Sequence, residues 1–415
     1  MTRSLGTSAR RTPAAGESLA SVEEVAASIE AAVPVLAATP LPLPQAAGRV
    51  LAEAVRAPMP LPRFDNAAMD GYAVRTGAEA DAPITLRLVA PASAGQASPP
   101  GMPAGCACPI ATGAPLPAGA DAVIMLEHAI EHDGKVLVSE PADRGQHVRR
   151  RGEDVPAGSE LLHAGQVLTA GQIVAAAALG RTTLQVRRPP RITIVLTGTE
   201  VVPAGQPLAD HQVFDAVGPA LQALLADVGC ITATLGPLDD DARLLAATLL
   251  DAAKDSDALV TVGGASVGRH DHLKQVLSRH GELHTWRVAL RPAKPFVFGA
   301  IAGTPLFGLP GNPASALAAY EVFVRPALLA MQGRRDDRLR LQAHLTESFS
   351  QAPGRLHMVR AHCWMQADRH LVRAVGAQGA GMVHALAAAN AWMVVPAEVD
   401  HLPAGALVEV WPMWG

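Results

Sequence analysis

Between residues 188 and 333 the apolar positions follow two alternating patterns. "RITIVLTG", "DALVTVGG" and "TPLFGLPG" are short, nearly unbroken apolar runs closed by glycine or proline. Such runs read as strands buried on both faces. "PALQALLADVG" and "HLKQVLSRHG" instead space their apolar residues by three and four. In the first, Leu221, Leu224, Leu225 and Val228 share one helical face and Gly229 provides a stop. The alternation predicts a parallel sheet covered on both faces. Ligands bind such sheets at the carboxyl ends of the strands. The loops "TGTE", "GGASVGRHD" and "LPGNPAS" therefore become the candidate site.

The flanking chain has other textures. "SVEEVAASIEAAV" predicts a helix opened by a Ser21–Glu24 capping box and ended by the proline-rich "TPLPLP". From 58 to 146, β-prone runs such as "ITLRLVA" and "DAVIMLE" alternate with Gly- and Pro-rich turns, as expected for a small β-rich domain of hairpins. An arginine cluster and an alanine-rich helix over 169–179 follow. "GRRDDRLR" at 333–340 reads as a linker, and the short strands beyond it as a further small β domain.

A length of 415 residues implies two to four domains, and 49% hydrophobic with 17% charged residues is ample for buried cores. A net charge of −4 and only 3% aromatics argue against nucleic acid as a partner. Of Cys106, Cys108, Cys230 and Cys363 only the first two are close, so no four-ligand zinc site is expected and the thiols read as reduced. The longest uninterrupted apolar run, 173–180, is too short to cross a membrane. Arg10 and Arg11 have no apolar core behind them, so the start reads as a polar tail. A cytoplasmic protein without membrane contact is the expectation. Lysine is scarce: Lys135, Lys254, Lys274 and Lys294 are the only four among 34 basic residues.

The candidate loops carry matching chemistry. In "LPGNPAS", Asn312 suits an N-cap and Pro313 the first helical position, with Ser315 in the first turn. This is either a well-capped helix or a helix N-terminus that receives a tetrahedral anion. Lys294 stands between two prolines in "RPAKPFVFG", a point charge suited to an oxyanion, with Arg287 and Arg291 nearby; a solvated basic loop is the alternative. "GGASVGRHD" offers Gly263 and Gly264 for close approach to phosphate, Ser266, and Asp271 as a ligand for a hard cation such as Mg²⁺. His270 and His272 do not share a helical face and make a poor metal pair. Glu200 and Asp240 end other strands, "RRRGED" gathers Arg149, Arg150, Arg151, Glu153 and Asp154, and "FDNAAMDGYAV" sets Asp65 and Asp70 five apart. Carboxylates, cations and glycine-rich loops together fit metal-assisted chemistry on a phosphate-bearing substrate.

"FDNAAMDGYAV", "ATGAPLPAGADAV", "RRRGEDV", "LTGTEVV", "DALVTVGGASVGRHD", "RPAKPFVFG", "LPGNPASAL" and "QGAGM" run in order along nearly the whole chain. Together they resemble the molybdopterin molybdenumtransferases, relatives of the E domains of gephyrin and its plant counterpart. The resemblance implies an α/β multidomain chain. A discontinuous helical domain would take 16–57 and 147–187, a β-rich domain 58–146, a central α/β molybdopterin-binding domain with a parallel sheet 188–333, and a C-terminal β barrel 334–415. It implies a homodimer whose active site is completed by the second subunit, with Asp70 in that shared cleft. The implied reaction joins molybdate to adenylylated molybdopterin, giving molybdenum cofactor and AMP. The implied substrate donor is a molybdopterin adenylyltransferase, and the implied recipients are molybdoenzymes or their chaperones.

By motif match, the resemblance implies catalytic roles for Asp70, Asp154, Glu200, Asp271 and Lys294, with Mg²⁺ held by Glu200, Asp240 and Asp271. Substrate binding is implied for Thr112, Gly263, Gly264, Ser266, Asp240, Arg287, Pro310, Asn312 and Pro313. Arg291, Lys294, Pro295 and Ser315 would surround molybdate, with Arg355 or Arg360 reaching in from the C-terminal domain. Some positions depart from the family pattern. Thr199 replaces a carboxylate, Ala216 a hydroxyl, Val217 an amide and Ala380 a serine, while Arg287 and Arg291 replace lysines. Those losses leave open a second reading, a non-catalytic paralogue that binds, carries or helps deliver the pterin.

Overall fold

The computed structural model describes residues 19–77, 82–98, 101–264, 272–285 and 287–413. The chain divides into two compact units, one of residues 40–47 and 51–185, the other of residues up to 39, 48–50 and 186–415.

The first unit is built on a six-stranded sheet, in the order Ala122–Met125, Gly71–Val74, Cys106–Ile110, Ile84–Leu88, Lys135–Val138, Ala129–His132. Side chains alternate across it. Ala73, Cys106, Cys108 and Val123 enter one apolar cluster, while Tyr72, Val74, Ala107 and Val136 enter another. The "CAC" pattern is thus a strand with two thiols in a core, and burial pushes the Cys108 thiol up. The glycine of "AMDGYA" has a steric reason. A Cβ on Gly71 would lie 1.9 Å from the Ile124 carbonyl oxygen of the neighbouring strand. The alanine-rich helix runs Ala170–Ala178.

The second unit holds a sheet in the order Ile231–Leu238, Arg191–Thr197, Ala258–Val262, Thr304–Leu309, Val297–Ile301, Gly281–Thr285. The first four strands are mutually parallel. Val297–Ile301 is antiparallel to both its neighbours, a departure from the all-parallel expectation. Its cause is local. Ala302 and Gly303 both take positive φ, 48° and 80°, forming a two-residue hairpin turn that folds the chain straight back.

Both faces are covered, which accounts for the unbroken apolar runs. Ile192, Ile194 and Leu196 pack with Leu221 and Leu225 of the helix Gly218–Asp227 and with Phe323 and Leu328 of the long helix. Val195 and Leu259 pack instead with Leu245 and Leu249 of the helix Ala242–Ala252 and with Leu273 and Leu277 of the helix His272–His280. The long helix is α over Pro313–Ala319, π over Tyr320–Val324 and α again over Arg325–Met331. It passes the length and apolarity test for a membrane span, with 19 residues at hydropathy 1.3, yet 72% of its apolar window is buried in this unit. Polar residues such as Ser315 and Glu321 interrupt its apolar run, so the shorter 173–180 stretch is the more conspicuous in the sequence.

The N-terminal helix, Val22–Ala32, has the predicted capping box: Glu24 N–H donates to Ser21 Oγ (3.1 Å) and Ser21 N–H to Glu24 Oε2 (2.8 Å). The proline-rich segment after it is a strand, Ala38–Pro42, running into a short helix, Leu43–Ala46. Proline near the start of that helix forfeits no helical hydrogen bond.

Beyond 340 five strands close a barrel, because Leu356–Gln366 pairs with both Arg369–Ala374 and Ala391–Val395. The "GRRDDRLR" segment joining barrel to helix is firmly bound. Arg338 donates to the Glu321 carbonyl (2.7 Å) and pairs with the carboxylates of Glu321 (3.1 Å) and Asp336 (3.0 Å). Its guanidinium lies 4.4 Å from the Trp411 ring centroid. Met358, Trp392 and Trp411 of the barrel belong to the same apolar cluster as the long helix.

The starts of two central strands, Arg191–Thr197 and Ala258–Val262, are tied together by Asp257. Its carboxylate accepts both Arg188 nitrogens (2.5 and 2.6 Å) and the Arg191 N–H (2.8 Å). Burial pushes this carboxyl up, but the Arg188 fork, the Arg191 N–H and the two charges outweigh it and hold it below the usual carboxylate range. Asp257→Ala should lower the unfolding free energy by roughly 2–4 kcal/mol, since it strands a half-buried arginine. A carboxyl lowered in the folded state stabilises above its unfolded value and loses that contribution as pH falls through the folded one. The wild-type advantage over Asp257→Ala in denaturant melts should therefore be full at neutral pH and shrink below about pH 4.

Candidate functional site

A cavity of about 740 Å³ opens where the parallel strands end. Thr197 ends the strand Arg191–Thr197, and its hydroxyl donates to the Val262 carbonyl at 3.1 Å, tying two adjacent strand ends together. There the "GG" turn passes very close. A Cβ on Gly263, whose φ is +87°, would lie 2.5 Å from the Thr197 carbonyl oxygen. Glu200, Gly263, Gly264, Lys294, Pro310, Asn312 and Pro313 all line the cavity, as does Pro295. Eight residues named from the sequence for catalysis or binding therefore converge on one space. Ser266 and Asp271 lie outside the described residues.

The helix start is neither a side-chain-capped helix nor an open anion cradle. Asn312 occupies the cap position but its side chain makes no capping bond. The first-turn N–H groups are taken: Ala314 donates to the Ala380 carbonyl (3.2 Å), and Ser315 and Ala316 both donate to the Asn312 carbonyl (3.0 Å). Pro313 has none to give. Among the described residues that line the cavity, the cation is Lys294, an exposed side chain. Ser315 is buried in the first turn, 4% exposed.

The four predicted arginines divide between places. Arg291 pairs in register with His357, placing a residue of the α/β segment on the barrel's edge. Arg355 is half-buried; burial and the neighbouring Arg291 charge lower its pKa. Burial first, then the charges of Arg291, Arg360 and Arg355, push the His357 imidazole down to about 3, so it is neutral. Arg360 is fully buried. It donates to the carbonyls of Ala377 (3.0 Å) and Gly379 (3.1 Å), while its Nε and Nη1 have no partner among the described residues. It thus braces the "QGAGM" loop, whose Gly381 lines the cavity. Arg287 is exposed and is not a lining residue.

Of the acidic candidates, Asp240 is exposed on the loop after Ile231–Leu238, and its N–H donates to the Thr199 hydroxyl at 3.4 Å. This bond links the Asp240 loop to the one carrying Glu200. Asp241 is the N-cap of the next helix, accepting from Arg243 (2.7 Å) and Leu244 (2.9 Å). Among the described residues no three His, Cys, Asp or Glu side chains gather as a metal site.

Asp70, Thr112 and Asp154 belong to the first unit. Asp70 Oδ1 accepts both the N–H (2.6 Å) and the hydroxyl (2.8 Å) of Thr112, and those bonds hold its carboxyl below the usual range. Asp154 is exposed. The other carboxylate of "FDNAAMDGYAV" is structural: Asp65 accepts from Arg150 Nη1 and the Arg151 N–H, both at 2.8 Å.

Val213, Phe214 and Asp215 also line the cavity. Sequence reasoning passed them over because attention in "FDAV" falls on what Ala216 and Val217 lack. Asp215 Oδ1 accepts from Val217 (3.1 Å) and Gly218 (2.8 Å), capping the helix Gly218–Asp227. An Asp two or three residues before an apolar-periodic run was the available signal.

A lysine-bearing cavity at the strand ends of a doubly covered sheet, with residues of the C-terminal segment supplying one wall, marks an α/β ligand-binding protein. Three family patterns match in chain order: the MoeA N-terminal region (domain I and II) over 20–180, a probable molybdopterin binding domain over 193–330, and the MoeA C-terminal region (domain IV) over 342–413. The chain is 34% identical to a molybdopterin molybdenumtransferase of Haemophilus influenzae over 376 residues, covering 90% of this chain and 93% of that one. It is 36% identical to molybdopterin molybdenumtransferase 2 of Mycobacterium tuberculosis over 385 residues, covering 90% and 94%. Among solved structures, the MoeA molybdopterin biosynthesis protein of Pyrococcus horikoshii superimposes with a TM-score of 0.84 at 30% identity, covering 96% and 100%. The chain belongs to the MoeA family of molybdopterin molybdenumtransferases. Its role is that of a transferase in molybdenum cofactor biosynthesis.

Gly263→Ala tests the strand-end geometry. It forces a Cβ against the Thr197 backbone at a φ that L-residues rarely adopt. The expected result is a loss of roughly 1–3 kcal/mol in denaturant melts together with weakened ligand binding at this cavity; wild-type stability and binding would show that the turn is free to move away.

Proposed function

We propose that this cavity takes adenylylated molybdopterin and molybdate and forms molybdenum cofactor with release of AMP. The observation that carries the proposal is the convergence of Lys294, Glu200, the Gly263–Gly264 turn and the Asn312–Pro313 helix start on one space of about 740 Å³, the size of a cofactor site. Lys294 supplies the mobile positive charge that a tetrahedral dianion needs. The buried Ser315 sits in the adjoining turn, and Arg360 fixes the barrel loop that closes this side. The glycine turn lets backbone approach phosphate oxygens without side-chain interference.

Mg²⁺ fits the donor chemistry. Glu200 and Asp240 are exposed carboxylates on loops joined by the Thr199–Asp240 bond, and Mg²⁺ is commonly held by one or two carboxylates plus substrate phosphate and water. These two residues would hold it, with Asp271 as the third candidate, and the ion would neutralise charge on the phosphate linkage as AMP leaves. In the same reading the chain works as a homodimer, with Asp70, Thr112 and Asp154 serving the cleft of the second subunit. Thr112 fixes the Asp70 carboxylate for that task. A molybdopterin adenylyltransferase would supply the substrate, and molybdoenzymes or their chaperones would accept the product.

The test is reconstitution with purified protein, adenylylated molybdopterin, Mg²⁺ and molybdate, following AMP and cofactor together. Molybdate-dependent AMP release matched by active cofactor is expected. Lys294→Ala should raise the KM for molybdate roughly tenfold or more, the loss of one charge-assisted contact. Tight substrate binding without turnover would instead make the protein a carrier, the reading favoured by the lost polar groups at Ala216, Val217 and Ala380.

A further inference from the structure

The cavity wall carries an aromatic ring that the fold does not use. Phe296, Phe298, Phe307 and Phe323 are wholly buried in the core, whereas Phe214 lines the cavity with 45% of its surface exposed. Val213 beside it is 55% exposed, and Val383, from the barrel end, is 57% exposed; both line the same space. Large apolar side chains left on a concave surface mark a place where something apolar binds.

The ring's backbone is held on both sides. Val213–Phe214 pairs in parallel with Val201–Val202. Val213 N–H donates to the Glu200 carbonyl and Asp215 N–H to the Val202 carbonyl, both at 2.8 Å. Asp215 then anchors the next turn through Val217 and Gly218. The backbone that carries Phe214 is therefore preorganised, so the ring is presented to the cavity from a defined position and only its side-chain rotamer is left to settle on contact.

The neighbouring positions decide what it can recognise. Ala216 has no polar side-chain atom, and Val217 is turned into the core with 3% exposure. The one polar side chain of this stretch is Asp215, whose Oδ1 is taken by the Val217 and Gly218 N–H groups; with no hydroxyl or amide beside it, the exposed group that remains to meet a ring is the face of Phe214. Lys294, Glu200 and Asn312 give the same cavity its polar groups. A ligand with a flat apolar portion and an anionic portion satisfies both.

We infer that Phe214 is the stacking platform for a fused-ring heteroaromatic group of the substrate, and that it is a specificity-determining residue of this cavity. The inference rests on the proposed function above, whose substrate contains two such rings, a pterin and an adenine. Base–aromatic stacking contributes about 1–3 kcal/mol.

AMP and pterin-6-carboxylate are titrated separately into the full-length wild-type, Phe214→Leu and Phe214→Tyr proteins by calorimetry, with melting temperature recorded for each. Phe214→Leu keeps apolar bulk and removes the ring, so it should weaken one probe by roughly tenfold at unchanged melting temperature. Phe214→Tyr should restore the affinity. Loss for either probe supports the inference, and the probe affected identifies the ring that sits there. Wild-type affinity for both probes in Phe214→Leu overturns it while leaving the proposed function standing. A wild-type protein that binds neither probe overturns both.

Discussion

The two-sided burial of the strands Arg191–Thr197 and Ala258–Val262 is the constraint on which the rest depends. Helices on both faces leave these strands nowhere to meet solvent except at their ends. Everything polar that the sheet presents is therefore forced into the loops beyond Thr197, Val262 and Leu309. The Thr197–Val262 bond and the close passage of Gly263 then fix how far apart those loops lie. Position of the site follows from packing; its chemistry follows from which side chains the loops carry.

The barrel completes the site by a different route. Gly381 and Val383 reach the cavity because the Ala380 carbonyl takes the Ala314 N–H and because Arg360 grips the carbonyls just before it. An arginine with no surface exposure is strongly disfavoured by desolvation, which lowers its pKa. Its retention is understandable where two carbonyls of a site-lining loop would otherwise have no donor.

How legible this was in the sequence varied with the range of the interaction. Strand runs and helical stripes were legible because burial on one or both faces imprints directly on local spacing. The Ser21–Glu24 box was legible because both partners lie within one turn. Loop glycines, Lys294 and Asn312 marked the site because their residue types are unusual in strands and cores. What depends on a distant partner was not readable. Nothing near Asn312 indicates that a carbonyl from residue 380 takes the helix amide, so the sequence left a well-capped helix and an anion cradle both open where the amides are in fact paired. The antiparallel strand Val297–Ile301 was missed for a nearer reason: its hairpin turn has Ala302 at a positive φ, where glycine or asparagine would have given it away. Phe214 had no signature at all, since one aromatic in a short apolar run reads as core.

The linker around Arg338 bears on modularity. Three sequence patterns divide the chain as though its parts were separable. Yet the apolar cluster beneath the long helix includes Met358, Trp392 and Trp411 from the barrel, and Arg338 joins the π turn at Glu321 to Trp411. A chain cut after Gly333 would not simply lose an appendage. It would uncover a wall of its own core and leave the Glu321 carboxylate without the guanidinium that neutralises it. Although recognisable as a part by its sequence, the α/β segment shares its core with the barrel, and recombination with a foreign barrel would have to reproduce that shared core before it could reproduce the site.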